Sequence, residues 1–67
     1  MIYLNGNPYD EGSEQTVAAV LRFLDLPPDA RGVAVAVDGE VVPRAGWGTF
    51  AIPHGARVEV LTAMQGG

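Results

Sequence analysis

Val17-Ala18-Ala19-Val20-Leu21-Arg22-Phe23-Leu24 is the stretch of the sequence that decides the fold. Its large aliphatic residues fall at i, i+3, i+4 and i+7, the spacing that lines one face of an α-helix: Val17, Val20, Leu21 and Leu24. Arg22 and Asp25 fall on the other side of that helix. A single helix with one apolar stripe can bury the stripe only against one face of a sheet. The stretch therefore predicts a two-layer α+β domain.

The residues that flank this stretch supply start and stop signals for the helix. Thr16, or alternatively Ser13, has a side-chain oxygen that can cap the first backbone amides. At the other end, Leu26 precedes two prolines, neither of which can continue a helical hydrogen-bond ladder. The helix is predicted to begin at Thr16 and to end before Leu26.

An N-terminal hairpin is predicted before the helix. Residues 1–5 form a short β-type run, and Asn5-Gly6 followed by Asn7-Pro8 is a strong turn signal. The returning arm, residues 8–11, opens on a proline, which cannot donate to a strand ladder. We therefore expect this arm at an edge of the sheet.

Three strands are predicted after the helix. Residues 33–37 alternate large and small apolar side chains, which is typical of a buried or nearly buried strand. Asp38-Gly39 signals a two-residue hairpin turn, and residues 40–43 return from it. Residues 44–50 fit neither period, and we expect an irregular stretch or one short helical turn held by Trp47 and Phe50. A final strand, residues 58–62, completes the order ββαβββ.

Composition and charge exclude several classes of protein. The 67 residues make one domain, and with no cysteine and one histidine it has neither a disulfide nor a Cys/His zinc site. The net charge of −4 repels phosphate backbones and acidic membranes and suits a basic protein partner. No signal peptide is visible, and no apolar run approaches the ~20 residues that span a bilayer. We expect a cytoplasmic protein that binds neither nucleic acid nor membrane.

Other residues offer little catalytic chemistry. His54 is the sole histidine, and one serine without any cysteine gives little basis for nucleophilic catalysis. We interpret His54 as a surface residue of the turn before Gly55. Three nearby acids form a solvated edge or, alternatively, a cation site: Asp10, Glu11 and Glu14. Tyr3 and Tyr9 are candidates for partly exposed aromatic residues that serve protein docking.

The chain ends in Met64-Gln65-Gly66-Gly67. Glycine has no Cβ, so a Gly-Gly end adopts almost any φ/ψ and can enter a slot too narrow for other residues. The dipeptide by itself also fits a frayed terminus or an engineering scar. What favours a functional end is the strand directly before it. Residues 63–67 are then a flexible tail on a single domain, and they reach about 16 Å when fully extended.

Several pieces of this sequence occur together in one known family. They are Leu4-Asn5-Gly6, Thr16-Val17 with Leu21 and Leu24, the hairpin from Val33 to Val42, Val42-Pro43-Arg44 with Trp47, and Val58-Glu59-Val60 with Gln65-Gly66-Gly67. Across essentially its whole length, the chain resembles the ThiS-type sulfur carriers of the ubiquitin-like β-grasp group. One departure is Gly55-Ala56-Arg57, where the family usually has an acidic residue after the glycine.

The resemblance implies a function for the tail. An activating enzyme that uses ATP and Mg²⁺ adenylates the carboxylate of Gly67. Sulfur from a persulfide donor then displaces AMP, and the resulting thiocarboxylate supplies sulfur to a thiazole synthase of thiamine biosynthesis. Gly66, Gln65 and Met64 are then partner-binding residues. The chain itself is a protein co-substrate, not an enzyme, and holds no cofactor and no metal.

Two alternatives remain open from the sequence. One is the small-subunit type of sulfur carrier that serves molybdopterin synthesis, which has closely related chemistry. The other is a β-grasp interaction module, or a ubiquitin-like modifier that is joined to lysines of target proteins. Removal of the tail abolishes the function of a carrier or a modifier and leaves a plain binding module active.

Overall fold

One helix packs on a five-stranded mixed sheet in the computed structural model, which describes residues 1–10, 15–26 and 31–63. The helix, α1, spans Val17–Phe23. The strands are β1 (Ile2–Leu4), β2 (Asn7–Tyr9), β3 (Gln15–Thr16), β4 (Val33–Val37), β5 (Glu40–Val42), β6 (Ala51–Ile52) and β7 (Arg57–Thr62). The predicted α+β class is confirmed.

The last long strand lies in the middle of the main sheet, whose order is β2-β1-β7-β4-β5. Strand β7 pairs parallel with β1 and antiparallel with β4, while both hairpins are antiparallel. Strand β2 is an edge strand, as its Pro8 predicted. The turn at Asp38-Gly39 is also confirmed, because both residues have positive φ, 51° and 83°. The chain therefore leaves the domain from a central strand.

The core lies between α1 and one face of the main sheet. Of the predicted helical stripe, Val17, Val20 and Leu21 are fully buried, and Leu24, which follows the last helical turn, is half-buried. Strand β4 buries Val35 and Val37 but leaves Ala34 exposed. It is thus buried on one face only, because the single helix covers only that side of the sheet.

Two short strands were not predicted. Strands β3 and β6 form a separate two-stranded ladder with Gln15 opposite Ile52 and Thr16 opposite Ala51. No strand pattern is visible in these residues, since each strand has only two of them. The ladder places residues 47–50 at the start of α1, where the carbonyl oxygens of Phe50 and Trp47 accept hydrogen bonds from the first two helical amides.

Thr16 is the N-cap of α1, as predicted: its side-chain oxygen accepts from the backbone N–H of Ala19 at 3.2 Å. The alternative cap, Ser13, lies outside the described residues. Together with the two carbonyl oxygens of the 47–50 loop, Thr16 supplies acceptors for three of the N-terminal amides that no helical carbonyl can reach.

Asn5 extends the pairing of β1 with β7 beyond the end of β1. Its side-chain Oδ1 accepts from the backbone N–H of Val60 at 2.8 Å, and its Nδ2 donates to the Val60 carbonyl at 3.3 Å. The Asn5 backbone N–H donates to the Val58 carbonyl at 2.8 Å. Asn5 also has a φ of 50°, a left-handed conformation that asparagine tolerates better than most residues. One side chain thus mimics a further strand residue beside the buried Val60.

We predict that Asn5→Ala lowers the free energy of unfolding by about 2–3 kcal/mol, from two lost hydrogen bonds and the left-handed backbone. Asn5→Gly keeps the backbone conformation accessible and removes only the side chain, so we expect a loss of about 2 kcal/mol. Urea denaturation followed by circular dichroism measures both. A glycine variant as stable as the parent would show that the Val60 hydrogen bonds contribute nothing.

Candidate functional site

The predicted site residues Met64, Gln65, Gly66 and Gly67 lie outside the described residues. The structure instead defines the point from which they start. Ala63 is the last described residue, and its backbone N–H donates to the carbonyl of Gly32 at 2.6 Å. This bond extends the β4–β7 pairing, in which Thr62 lies opposite Val33 and Leu61 opposite Ala34.

Strand β7 has different neighbours along its length. Near its start, β7 has partners on both sides. Arg57 and Val58 pair with β1 on one side, while on the other Val58 pairs with β4 and Arg57 bonds to the turn after β4. Asn5 extends the contact on the β1 side to Val60. From Leu61 to Ala63, the pairing described is with β4 and Gly32. The chain that leads to the terminal carboxylate is therefore held along one side up to Ala63.

The face of the main sheet opposite α1 exposes apolar side chains. We call it the outer face, and its members are Tyr3, Ala34, Ala36, Val41, Arg57, Glu59 and Leu61. Three large members are strongly exposed: Val41 at 69%, Leu61 at 66% and Tyr3 at 43%. The strand register places Ala34 beside Leu61 and Ala36 between Val41 and Glu59. Small alanines thus leave Leu61 and Val41 standing above the sheet, and Leu61 is two residues from Ala63.

Sequence reasoning predicted partial exposure for Tyr3 but did not identify Leu61 or Val41. A signal for Leu61 was present in the last strand. In Val58-Glu59-Val60-Leu61, the two valines alternate with Glu59, so the inward positions are 58 and 60 and an apolar residue at 61 faces outward. For Val41 the same alternation with the buried Val42 gives the direction. Large apolar residues at outward positions are a signal of an interface.

Of the other residues considered for catalysis or for binding a cation, the structure describes His54 and Asp10. His54 is exposed in the turn before Gly55, and Asp10 is exposed, while Glu11 and Glu14 lie outside the described residues. Within residues 1–10, 15–26 and 31–63, no group of three acidic or histidine side chains is arranged to hold a metal ion. Within the same residues, no helix is long and apolar enough to cross a membrane.

Comparison with known families shows which family the chain belongs to. A model of the ThiS family matches residues 2–67, which includes the two terminal glycines. The chain belongs to the ThiS family. No curated protein sequence was found to match the chain significantly.

Two solved structures agree with this family assignment. The crystal structure of the thiamine biosynthesis protein ThiS from Geobacter metallireducens is 29% identical, with a TM-score of 0.75, and the match covers 98% of this chain and 97% of that one. A solution NMR structure of a thiamine biosynthesis protein from the same organism is 31% identical, with a TM-score of 0.78, over 98% of this chain and 86% of the other. The predicted β-grasp fold of the ThiS family is confirmed.

The departure from the family pattern at Gly55-Ala56-Arg57 has a local explanation. Ala56 is 3% exposed and belongs to the core, and its carbonyl accepts from the backbone N–H of Tyr3. In this member of the ThiS family, position 56 therefore has a packing role.

Proposed function

We propose that this protein is a sulfur carrier of thiamine biosynthesis whose terminal Gly67 carboxylate is adenylated by a partner enzyme and converted to a thiocarboxylate. The observation that carries the proposal is the family match, which extends through Gly66 and Gly67 at the end of the chain. The similarity to thiamine biosynthesis proteins of Geobacter metallireducens favours the thiazole branch over molybdopterin synthesis. In this role the chain is a co-substrate, not an enzyme.

The chemistry explains why a partner is needed. A carboxylate is a poor electrophile until one of its oxygens becomes part of a good leaving group. Attack of a Gly67 carboxylate oxygen on the α-phosphorus of ATP expels pyrophosphate and gives an acyl adenylate, with Mg²⁺ in the partner neutralising the phosphate charge. The terminal sulfur of a persulfide then attacks the carbonyl carbon and expels AMP. The carrier is now joined through this sulfur to the inner sulfur of the donor. A thiol next attacks that inner sulfur, forms a disulfide with it and releases the thiocarboxylate.

Glycine at both terminal positions suits this chemistry. The sulfur nucleophile approaches the carbonyl carbon of Gly67, and a Cβ on that residue crowds the approach. A Cβ on Gly66 widens the chain within the channel that leads to ATP. Gln65 and Met64 connect these glycines to Ala63, and we assign to them contacts with the walls of that channel.

The outer face is our proposed docking surface for the adenylating enzyme. It includes residues of β7, the strand from which the tail starts, and its exposed apolar member on that strand, Leu61, is only two residues from Ala63. A partner that covers Leu61 and Val41 also receives the tail. The chain has a net charge of −4, so we expect basic residues around the apolar centre of the partner surface.

We predict that Leu61→Arg raises the KM of the adenylating enzyme for this carrier by about tenfold or more, because it removes an apolar contact and adds a charge that repels a basic partner. The free energy of unfolding should change by less than ~0.5 kcal/mol, since Leu61 is 66% exposed. Steady-state adenylation kinetics at varied carrier concentration measure the effect.

Phe23→Arg is the matched control for Leu61→Arg. Phe23 is a 58% exposed apolar residue at the end of α1, which covers the opposite face of the sheet. The substitution makes the same change in net charge, and we expect a KM close to that of the parent. An equal rise of KM in both variants would show a general charge effect and would rule out the outer face as the docking surface.

The proposed function is tested by intact mass after incubation with an adenylating enzyme that activates another ThiS-family carrier, ATP, Mg²⁺ and a persulfide sulfur source. We expect a mass shift equal to the replacement of one oxygen by sulfur, and no shift in a chain that lacks Gly67. Stable higher-mass conjugates would indicate a modifier instead. Absence of any shift, with the enzyme active on the other carrier, would favour a plain interaction module.

A further inference from the structure

Gly32 and Ala63 approach each other closely where the tail leaves the domain. The carbonyl of Gly32 accepts the Ala63 amide at 2.6 Å. A Cβ on Gly32 would lie 3.1 Å from the Ala63 Cβ, and 3.7 Å from both the backbone nitrogen and the backbone oxygen of Ala63. A Cβ contact of 3.1 Å is tight enough to displace one of the two groups. The absence of a side chain at position 32 thus permits the observed position of Ala63.

The conformation of Gly32 also determines where the pairing of β7 ends. Gly32 has a φ of 72°, which L-residues other than glycine and asparagine rarely adopt, and it directly precedes the first residue of β4, Val33. A strand cannot continue through a residue with this φ. The bond from Ala63 to Gly32 is therefore the last one described between the two strands. At Gly32 the backbone departs from the direction of β4.

A fixed Ala63 limits how far the terminal carboxylate can reach. Four residues, 64–67, follow it in the sequence. At full extension they span about 13–14 Å, and release of Ala63 would lengthen the free segment by one residue, or roughly 3.5 Å. A longer tether spreads its end over a larger volume and lowers its effective concentration at a fixed site. The direction of the first free residue is lost as well.

We propose that Gly32 is a positioning residue for the tail, fixing the backbone of Ala63 so that four residues of defined origin deliver the Gly67 carboxylate to the adenylating partner. The role rests on the proposed sulfur-carrier function. We assign Gly32 no contact with the carboxylate or with ATP. It acts through the position of Ala63, and so should affect the rate of reaction in the complex more than the formation of the complex.

We predict that Gly32→Ala lowers kcat for thiocarboxylate formation by about tenfold, since a displacement of reacting groups by about 1 Å can cost even more. The KM for the carrier should remain near that of the parent, because the outer face is unchanged. In the same variant, amide hydrogen exchange at Ala63, measured by NMR, should become faster. A further variant, Gly32→Ala with Ala63→Gly, removes the contacting Cβ at position 63. The fall in kcat that Gly32→Ala causes in this Ala63→Gly background should be smaller than the fall that it causes in the parent.

Gly55→Ala is the matched control for backbone strain. Gly55 has a φ of 82°, and a Cβ on it would meet nothing within 4 Å. It lies in the turn before β7, at the opposite end of that strand from Ala63. The alanine variant therefore carries similar left-handed strain without displacing Ala63, and we expect parental kcat and parental Ala63 exchange.

The outcomes separate this proposal from the proposed function. If the parent chain gains sulfur and Gly32→Ala gains it with parental kcat, the positioning role is wrong and the carrier function stands. An equal fall of kcat in Gly32→Ala and Gly55→Ala would also overturn it, because strain alone would explain the loss. A parent chain that gains no sulfur would overturn the carrier function, and the positioning role with it, even if its Ala63 amide were protected.

Discussion

Replacement of Gly67 by alanine should lower the rate of thiocarboxylate formation by about 100-fold, the scale of effect expected when a reacting group is misplaced by about 1 Å. The added methyl group lies on the carbon next to the carbonyl that both ATP and the sulfur donor must approach. It also restricts φ and ψ at the terminal residue, which glycine leaves free. Single-turnover incubation with the adenylating enzyme, ATP and a persulfide source, followed by intact mass, measures the rate.

Two control variants locate this effect. Met64→Ala changes a residue of the same tail without adding bulk at the reacting carbonyl, and we expect a loss of less than about tenfold from weaker channel contacts. Deletion of Gly67 leaves Gly66 as the terminal residue, so the carboxylate falls short by one residue, or about 3.5 Å, and sulfur transfer should be abolished. Urea denaturation should be the same for all three. Parental rates for Gly67→Ala would contradict the assigned role of the terminal glycine.

The sequence predicted the main architecture because its signals are local. The helical stripe from Val17 to Leu24, the Thr16 cap, the edge position of Pro8 and the turn at Asp38-Gly39 each depend on residues close in the chain, and the structure confirms them. Strands β3 and β6 depend on a pairing between residues 15–16 and 51–52, far apart in sequence. Two residues are too few to give a periodic pattern.

The candidate site divides in a similar way. The Gly-Gly end could be predicted directly, since the chemistry proposed for it depends only on residue type and on its place in the chain. The outer face needed the strand order, because Val41 and Leu61 belong to separate strands, and only the register shows that they lie opposite Ala36 and Ala34 of the strand between them. The Gly32–Ala63 contact joins residues 31 positions apart and depends on a φ value that glycine permits but does not require. Composition alone cannot reveal such a contact.

The position of β7 connects the fold to the proposed function. A carrier must present a slender end to one partner after another while its domain stays folded. Because β7 pairs on both sides at its start and with β4 up to Thr62, a pull on the tail is opposed by backbone hydrogen bonds in the centre of the sheet. Under the proposed function, these bonds would let the tail enter a channel of the partner without local unfolding of the domain.

Trp47 should be the most sensitive position for stability outside the sheet. Its ring is 4% exposed, its Nε1 donates to the Val42 carbonyl at 2.9 Å, and the Arg44 guanidinium lies 4.8 Å from the ring centroid. Its own carbonyl accepts from the Ala18 amide at the start of α1. Trp47 thus joins β5, the short 3-10 helix Arg44–Gly46 and the helix that covers the sheet.

We predict that Trp47→Ala lowers the free energy of unfolding by about 4 kcal/mol, the usual cost of deleting a buried aromatic side chain. Native domains of this kind are stable by only about 5–15 kcal/mol, with the smallest near the lower end, so this variant should be largely unfolded at modest urea concentration. Trp47→Phe keeps most of the apolar contact but leaves the Val42 carbonyl without its buried donor, and we expect a loss of about 2 kcal/mol. Both variants lack the single tryptophan of the parent, so their unfolding in urea is followed by circular dichroism and not by tryptophan fluorescence.

We expect the alanine variant to be too unstable for a full unfolding curve, so the phenylalanine variant provides the decisive measurement. A free energy of unfolding for Trp47→Phe equal to that of the parent would show that the bond from Nε1 to Val42 contributes nothing and that ring burial alone holds the loop. Leu21→Ala gives the scale for a residue of pure core packing: it is 1% exposed, has no polar atom, and should cost about 3 kcal/mol. If Trp47→Ala costs less than Leu21→Ala, the Trp47 side chain contributes less to stability than a purely apolar core residue, and the backbone bonds from the carbonyls of Trp47 and Phe50 are what hold residues 44–50 against α1.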